Sequence, residues 1–317
     1  MLELPGFCMS LPGVINASKK RARSDLILLL VSLIWGSAFV AQRVAAQQMD
    51  AFLFNGTRFL VGALVLLPLA VRNPGKPKRV DIPGIALAGS LLFGGAALQQ
   101  IGMQTTTAAN GGFITGLYVV FIPLLLALFW RQSPQPRIWL AAFLAVAGLF
   151  LLSTGGRLAL ATGDVLVLLG AILWALHVIV IGLLVRRMEV IHLATGQYLV
   201  CSLLNLLLFT VIGQKTLVDG LSGAWWAVVY TGVFSIAIGY TLQGYGQKEA
   251  PPADAAIILS MEAVFAALFG WVLLEEHLSA IQILGCALMA TGMMLSQISI
   301  FRANSPRLHR DEQHQQT

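Results

Sequence analysis

Two stretches decide the fold: Asp25-Leu26-Ile27-Leu28-Leu29-Leu30-Val31-Ser32-Leu33-Ile34-Trp35 and Asp164-Val165-Leu166-Val167-Leu168-Leu169-Gly170-Ala171-Ile172-Leu173-Trp174. Each opens on an aspartate, runs through apolar and small residues and closes on a tryptophan. The runs are continuous rather than alternating, which points to a helix crossing a bilayer and away from a β-barrel strand. The two lie 139 residues apart, and the register persists beyond them. Met49 falls on Met188, Leu60-Val61 on Leu199-Val200, and Leu64, Leu67 and Leu69 on Leu203, Leu206 and Leu208, giving ten identities between residues 25 and 71 without a gap. A second register, offset by 144, places Gly95 on Gly239, Leu98-Gln99 on Leu242-Gln243, Gly102 on Gly246, Asn110 on Asp254, Phe121 on Phe265, Leu124 on Leu268 and Gly148 on Gly292. Leucine pairs alone would be coincidence in so apolar a chain. Matched tryptophans, aspartates and glycines indicate an internal duplication.

Composition agrees. Of 317 residues, 57% are hydrophobic and 11% charged, where a soluble domain carries about 25% charged residues. That excludes a soluble enzyme, a disordered chain and a coiled coil. Ten spans of about 20 residues leave room only for short loops and tails. The spans are expected near 26–45, 51–71, 82–102, 110–130, 138–154, 164–185, 191–212, 223–245, 254–274 and 280–300. Asn73-Pro74-Gly75, Ser133-Pro134-Gln135-Pro136, Gly155-Gly156 and Pro251-Pro252 punctuate them. The three cysteines, Cys8, Cys201 and Cys286, are scattered and make neither a disulfide framework nor a metal site.

Orientation follows from Lys and Arg in short loops. With ten spans one side receives Lys19, Lys20, Arg21, Arg23, Arg72, Lys76, Lys78, Arg79, Arg131, Arg137, Arg186, Arg187, Lys248, Arg302, Arg307 and Arg310. The opposite loops hold only Arg157 and Lys215. Both termini are therefore expected in the cytoplasm, in a cell (inner or plasma) membrane. The net charge of +6 is accounted for by topology, with no nucleic-acid partner implied. The expected domains are a cytoplasmic tail over 1–24, a first five-helix repeat over 25–157, a second over 158–300 and a cytoplasmic tail over 301–317. Residues 1–18 read as poorly structured, and Met9 is an alternative start to Met1.

An odd number of spans per half turns the second half upside down. Inverted repeats of this kind are a mark of secondary transporters, whose substrate site lies near the midplane. The expected fold is thus an all-α polytopic membrane protein of ten helices in two inverted five-helix repeats.

The motifs then resemble a known family. Trp35-Gly36-Ser37-Ala38-Phe39-Val40, Arg58-Phe59 followed by Leu66-Leu67-Pro68-Leu69, Gly111-Gly112-Phe113-Ile114-Thr115-Gly116-Leu117-Tyr118-Val119-Val120-Phe121-Ile122-Pro123-Leu124, Gly163-Asp164 before Trp174-Ala175, and Leu259-Ser260-Met261-Glu262-Ala263-Val264-Phe265-Ala266-Ala267-Leu268 with Glu275 are similar in order and spacing to the drug/metabolite transporter superfamily, EamA type. The likeness runs from Asp25 to Gln297. It implies ten helices in two inverted repeats and solute transport without ATP hydrolysis. Many members follow the span-nine glutamate with proline. Here Ala263 follows, which weakens any expectation of a broken helix there. The absence of ATP chemistry has separate support, since Gly213-Gln214-Lys215-Thr216 lacks the glycines of a phosphate-binding loop.

Ionisable and polar groups inside a bilayer are costly and mark function. Glu262, about 12 Å into span nine, is the candidate for proton coupling or for holding a cationic group. Arg58, about 10 Å into span two, suits a substrate carboxylate or phosphate, with snorkelling to the interface as the plain alternative. Trp35 and Trp174 occupy matching midspan positions and are expected to line a cavity. Gln99 and Gln243 are also matched, expected one near each face. Asn110, Tyr118, Gln197 and Tyr240 complete the candidate substrate-binding set. His177 reads as a singly hydrogen-bonded core residue. Ala86, Ser90 and Gly94 suggest a close helix approach in span three, and Gly111-Gly112 with Pro123 a kinked span four. No zinc-protease or nucleophile-elbow motif occurs, so no catalytic residue, metal or cofactor is expected.

The reading is a secondary transporter for a small organic metabolite or drug-like solute. Export by proton antiport is the first form, and an uncoupled facilitator or exchanger the second. An integral membrane enzyme acting on lipid is the alternative from another class. Partners are the solute, membrane lipid and H+ as the candidate coupling ion, with a monomer or homodimer as the assembly.

Overall fold

The computed structural model describes residues 12–73, 75, 77–106, 108–131, 134–154, 162–213, 217–274 and 279–302. Among them the regular structure is helical: α1 (Pro12–Gln48), α2 (Ala51–Arg72), α3 (Ile82–Gly102), α4 (Ala108–Gly116), α5 (Tyr118–Trp130), α6 (Pro136–Thr154), α7 (Thr162–Leu184), α8 (Val190–Ile212), α9 (Leu217–Tyr230), α10 (Thr241–Gly246), α11 (Pro252–Leu259), α12 (Glu262–Leu274) and α13 (Ala280–Arg302). A 3-10 turn, Arg79–Asp81, leads into α3, and a π-helical stretch, Thr231–Tyr240, joins α9 to α10. These pieces make ten spans, because α4 and α5 form one, α9 through α10 another, and α11 and α12 a third. Eight spans are long and apolar enough to cross a membrane, and two shorter apolar helices, Pro136–Leu151 and Ala280–Leu295, complete the set. The chain is an all-helical membrane protein.

Local chemistry sets the helix ends. Asp50 caps α2 by accepting from the Phe52 and Leu53 amides at 2.8 and 3.2 Å. Pro83 and Pro252 sit in the first turns of α3 and α11, where a missing N–H costs nothing. Arg131 ends α5 in the left-handed region, at φ 51°. Outward-facing Leu26, Leu128, Phe129, Phe143 and Val211 are exposed, as a lipid-facing surface requires.

The two halves interleave. α2 packs on α8, α6 on α13, α3 on α7, and α1 on the π stretch, α10 and α12. A pseudo-twofold relation exchanges α1 with α7, α3 with the π stretch and α10, and the α4–α5 span with the α11–α12 span. Under it the α3–α7 contact becomes the contact of α1 with the π stretch and α10. Glycine positions obey the same relation. A Cβ on Gly148 would lie 2.5 Å from the Gly285 carbonyl oxygen, and one on Gly292 would lie 2.8 Å from that of Ala141.

Three sequence expectations change. α1 begins at Pro12, so residues 12–18, read as poorly structured, are helical. Of the Ala86, Ser90, Gly94 stripe, Ser90 is exposed and Gly94 alone makes a close approach, where a Cβ would lie 2.7 Å from Leu173. The closest backbone approaches of α3 use Gly89 against Val200 and Gly102 against Gly163 and Val167. Span nine is broken despite the absence of proline. Ser260 turns its hydroxyl onto the Ile257 carbonyl at 2.8 Å, and Met261 and Ala263 revert to i→i−3 bonds, to Ile258 and Ser260. Span four breaks at the matching place: Leu117 and Val120 bond back to Ile114 and Leu117, just after Gly116, which matches Ser260. The starting Met, the loops bearing Arg157 and Lys215, Glu275 and the tail beyond 302 lie outside the described residues.

Candidate functional site

The two breaks put two side chains face to face. Tyr118 is the first residue of α5 and Glu262 the first of α12, and the 144-residue register superposes them. Each stands ten residues from the start of its span and twelve from its end, near the midplane at about 1.5 Å per residue. The Tyr118 hydroxyl donates to Glu262 Oε1 at 3.2 Å, so this bond crosses the pseudo-twofold relation. Glu262 is 3% exposed.

Around this pair lies a cavity of about 30 Å³, walled by Trp35, Trp174, Tyr240, Arg58, Gln99 and Gln243 together with Phe39, Gln42, Thr115, His177, Val178 and Ser235. That is room for at most a few water molecules, so this conformation is nearly closed around its polar centre. Tyr240 is the hub of the aromatic wall. Its ring centroid is 4.6 Å from Trp35, 5.9 Å from Trp174 in stacked geometry and 6.0 Å from His177.

Each tryptophan reaches the cavity over a matched glycine. A Cβ on Gly95 would come within 3.0 Å of the Trp174 ring, and one on Gly239 within 2.7 Å of Trp35 Nε1. The π stretch then separates the pair. Trp35 Nε1 donates to the Ser235 carbonyl of that stretch at 3.2 Å. Trp174 faces the regular helix α3, and its Nε1 is buried without a partner. The glutamines diverge likewise. Gln99 Nε2 donates to Thr115 Oγ1 at 3.0 Å, whereas both Oε1 and Nε2 of Gln243 are unpaired.

Arg58 is 3% exposed, so it does not snorkel. Its guanidinium carbon lies 4.9 and 5.2 Å from the ring centroids of Phe54 and Phe59. Among the described residues the ion pairs are those of Arg21, and Arg58 Nε lacks a hydrogen-bond partner. Gln42 Oε1 and His177 Nδ1 are unpaired too. A buried polar atom left without a partner costs about 1–3 kcal/mol. Five wall residues carrying such atoms therefore mark a surface shaped for a polar occupant.

Of the expected residues, Trp35, Arg58, Gln99, Tyr118, Trp174, Tyr240, Gln243 and Glu262 converge on this one cavity. Gln99 and Gln243 were expected near opposite faces. They meet at the centre because α3 and α10 approach from opposite sides. Gln197 stands behind the wall, 2.9 Å from His177 Nε2. The side chain of Asn110 lies outside the described residues. His177 makes the single hydrogen bond expected of it, to Gln197, and also lines the wall. Gln42, Thr115 and Ser235 are further wall residues. Gln42 stands seven residues from Trp35, and Thr115 three from Tyr118, so helical periodicity was the available signal for those two.

On the side where α1 begins, Arg21 closes the bundle. It donates to Asp25 Oδ1 and Asp254 Oδ2, each at 2.9 Å, and to the Glu249 carbonyl at 3.3 Å. On the opposite side the matched acid, Asp164, accepts from the Thr106 hydroxyl, and Arg43 donates to the Met103 carbonyl. Among the described residues, no cluster of three His, Cys, Asp or Glu could hold a metal.

The EamA-like transporter family matches residues 22–154 and, a second time, residues 161–297. A protein of Archaeoglobus fulgidus described as an uncharacterized transporter is 30% identical over 281 residues, covering 89% of this chain and 88% of that one. YedA of Escherichia coli, described as an uncharacterized inner membrane transporter, is 26% identical, covering 84% and 88%. A solved crystal structure shares the fold at TM-score 0.73 and 19% identity, over 90% of this chain and 99% of the other.

Proposed function

Because the chain belongs to the EamA-like transporter family, we propose that it is a secondary transporter that moves a small zwitterionic metabolite by alternating access, exporting it in exchange for a proton. It is a membrane transporter and not an enzyme. The halves are taken as 25–157 and 158–300, with tails 1–24 and 301–317 in the cytoplasm, and the two family matches support that division. The site in the inner or plasma membrane is supported by the basic loops and by the location given for YedA.

The observation that carries the solute class is Arg58, a buried guanidinium without an ionic partner among the described residues, set in a wall of unpaired donors and acceptors. A substrate carboxylate at Arg58 would gain a charge-assisted bond, and the Trp174 indole N–H and Gln243 amide would supply further donors. Trp35, Trp174 and Tyr240 would pack an apolar body. A substrate ammonium would sit at Glu262. One carboxylate cannot hold a proton and pair with an ammonium together, so proton and solute compete, which makes the exchange one for one. With Glu262 ionised and unoccupied, the Tyr118 hydroxyl holds the two broken helices together across the cavity.

The cavity is too small for an organic solute, so loading requires the halves to part. The Arg21 cluster on one side and the Asp164 and Arg43 contacts on the other supply separable seals. The test is uptake into proteoliposomes with an imposed pH gradient, screened over amino acids, carboxylates and amines. The expected result is gradient-driven accumulation of a zwitterion that Glu262→Gln abolishes, with solute counterflow weakened as well because the ammonium loses its ionic partner. Accumulation that ignores the pH gradient would replace antiport by the uncoupled exchanger.

A further inference from the structure

A second groove lies outside the transport cavity, on the surface where α1 enters the bilayer and α10 leaves it. It encloses about 440 Å³ and is lined by Lys20, Arg23, Ile27, Leu242, Tyr245 and Lys248, with Ser24 at its base and Glu249 at its rim. Lys20, Arg23 and Ile27 follow one another at helical spacing, so they form a single stripe on α1. The stripe passes from two cations at the aqueous end to an isoleucine one turn deeper. Leu242 and the half-exposed Tyr245 form the facing wall, and Lys248 Nζ lies 5.5 Å from the centroid of the Tyr245 ring. Three cations and one carboxylate leave the rim with a net positive charge. A tyrosine at the headgroup level beside basic side chains is the signature of a membrane interface.

The duplication supplies an internal control. The two registers place Leu166 on Ile27, Leu98 on Leu242 and Ile101 on Tyr245, so the apolar positions recur in the other half. They place Ala159, Thr162 and Gln104 on Lys20, Arg23 and Lys248. The sequence thus repeats the apolar positions and charges only this set.

We infer that the α1–α10 groove is a binding site for one anionic phospholipid of the leaflet on the side where α1 begins. Lys20, Arg23 and Lys248 hold its phosphate, and an acyl chain lies along Ile27, Leu242 and Tyr245. The groove adjoins Arg21 and Glu249 of the seal on that side, so an occupied groove braces the closed end of the bundle. Basic pockets at this depth favour anionic headgroups.

The test is native mass spectrometry of the full chain in detergent, with dioleoyl phosphatidylglycerol and dioleoyl phosphatidylethanolamine at equal concentration. The expected result is one retained phosphatidylglycerol, preferred by about tenfold, with the preference lost in Lys20→Gln/Arg23→Gln/Lys248→Gln. Lys78→Gln/Arg186→Gln/Arg187→Gln removes as much charge from the same face and should keep it. Millimolar sn-glycerol 3-phosphate should leave the lipid bound. Equal retention of the two lipids, equal loss in both triple variants, or displacement by the glycerol phosphate would each overturn the site. If the first triple variant fails to fold, Arg23→Gln alone decides, with a partial loss of preference expected and an unchanged preference refuting it.

Discussion

Arg58→Met separates a residue kept for stability from one kept for a ligand. The Arg58 side chain is buried, and the desolvation of an ion costs several kcal/mol even after relaxation. The rings of Phe54 and Phe59, at 4.9 and 5.2 Å, return about 2 kcal/mol each, which offsets only part of that cost. No described carboxylate pairs with the guanidinium, so replacing it by an apolar side chain of similar volume should be neutral or stabilise the empty protein, by up to about 1–4 kcal/mol. Binding should move the other way. A lost charge-assisted bond weakens a carboxylate-bearing solute by about 1.5–3 kcal/mol, which is about 10- to 150-fold in Kd. The assay is thermal unfolding in detergent followed by tryptophan fluorescence, with and without members of a panel of amino acids, carboxylates and amines. At a concentration of about 100 Kd the solute stabilises the wild type by about 2.7 kcal/mol. The same concentration should give the variant about 1.4 kcal/mol or less by the same linkage relation. A variant that melts below the wild type without solute, yet keeps its full solute-induced shift, would show Arg58 to be a structural cation and would sink the anion-binding argument.

Other perturbations read other parts of the structure. Gly148→Ala and Gly292→Ala push a methyl against backbone oxygens at 2.5 and 2.8 Å, and each should cost about 1–3 kcal/mol. Their similar loss of melting temperature would check that the α6–α13 packing is symmetric. Gly239→Ala crowds Trp35 Nε1 at 2.7 Å, so Gly239→Ala with Trp35→Phe should be less damaging than the sum of the two, and a double-mutant cycle in melting temperature reads that coupling. Arg21→Gln removes the link from α1 to Asp254, and cysteine labelling inside the cavity from the α1 side should speed up while labelling from the other side does not.

Much of this fold is legible in the sequence, for definite reasons. Span lengths and the basic bias follow from bilayer thickness and from where charges can reside, and both are one-dimensional properties of a sequence. Trp35 and Trp174 could be placed at midspan for the same reason. The convergence of Gln99 and Gln243 could not, because it depends on α3 and α10 entering the centre from opposite sides. The break in span nine has no proline to mark it, and lies at Ser260, the position that Gly116 holds in the matching break of span four. The π stretch was also silent, since Thr231–Tyr240 reads as an ordinary apolar run. His177 was taken as a quiet core residue because a single turn decides whether an imidazole faces a wall or a cavity.

The duplication also divides scaffold from site within one chain. Pairs that stayed identical, Gly95 with Gly239, Gly102 with Gly246 and Gly148 with Gly292, sit where a side chain would strike a neighbouring helix. Their role is steric, and the pseudo-twofold relation imposes it equally on both halves. The cavity keeps two identical pairs, Trp35 with Trp174 and Gln99 with Gln243, whose bonding differs, and its other pairs diverged in sequence: Tyr118 with Glu262, Arg58 with Gln197, Ala96 with Tyr240. A pocket made of identical halves would present each charge twice and bind a symmetric ligand. This one presents a single guanidinium, a single carboxylate and a single free indole N–H, so a solute can seat in only one orientation. Divergence at these positions, on a backbone whose glycines did not diverge, is what converts a symmetric alternating frame into a site able to tell one end of a molecule from the other.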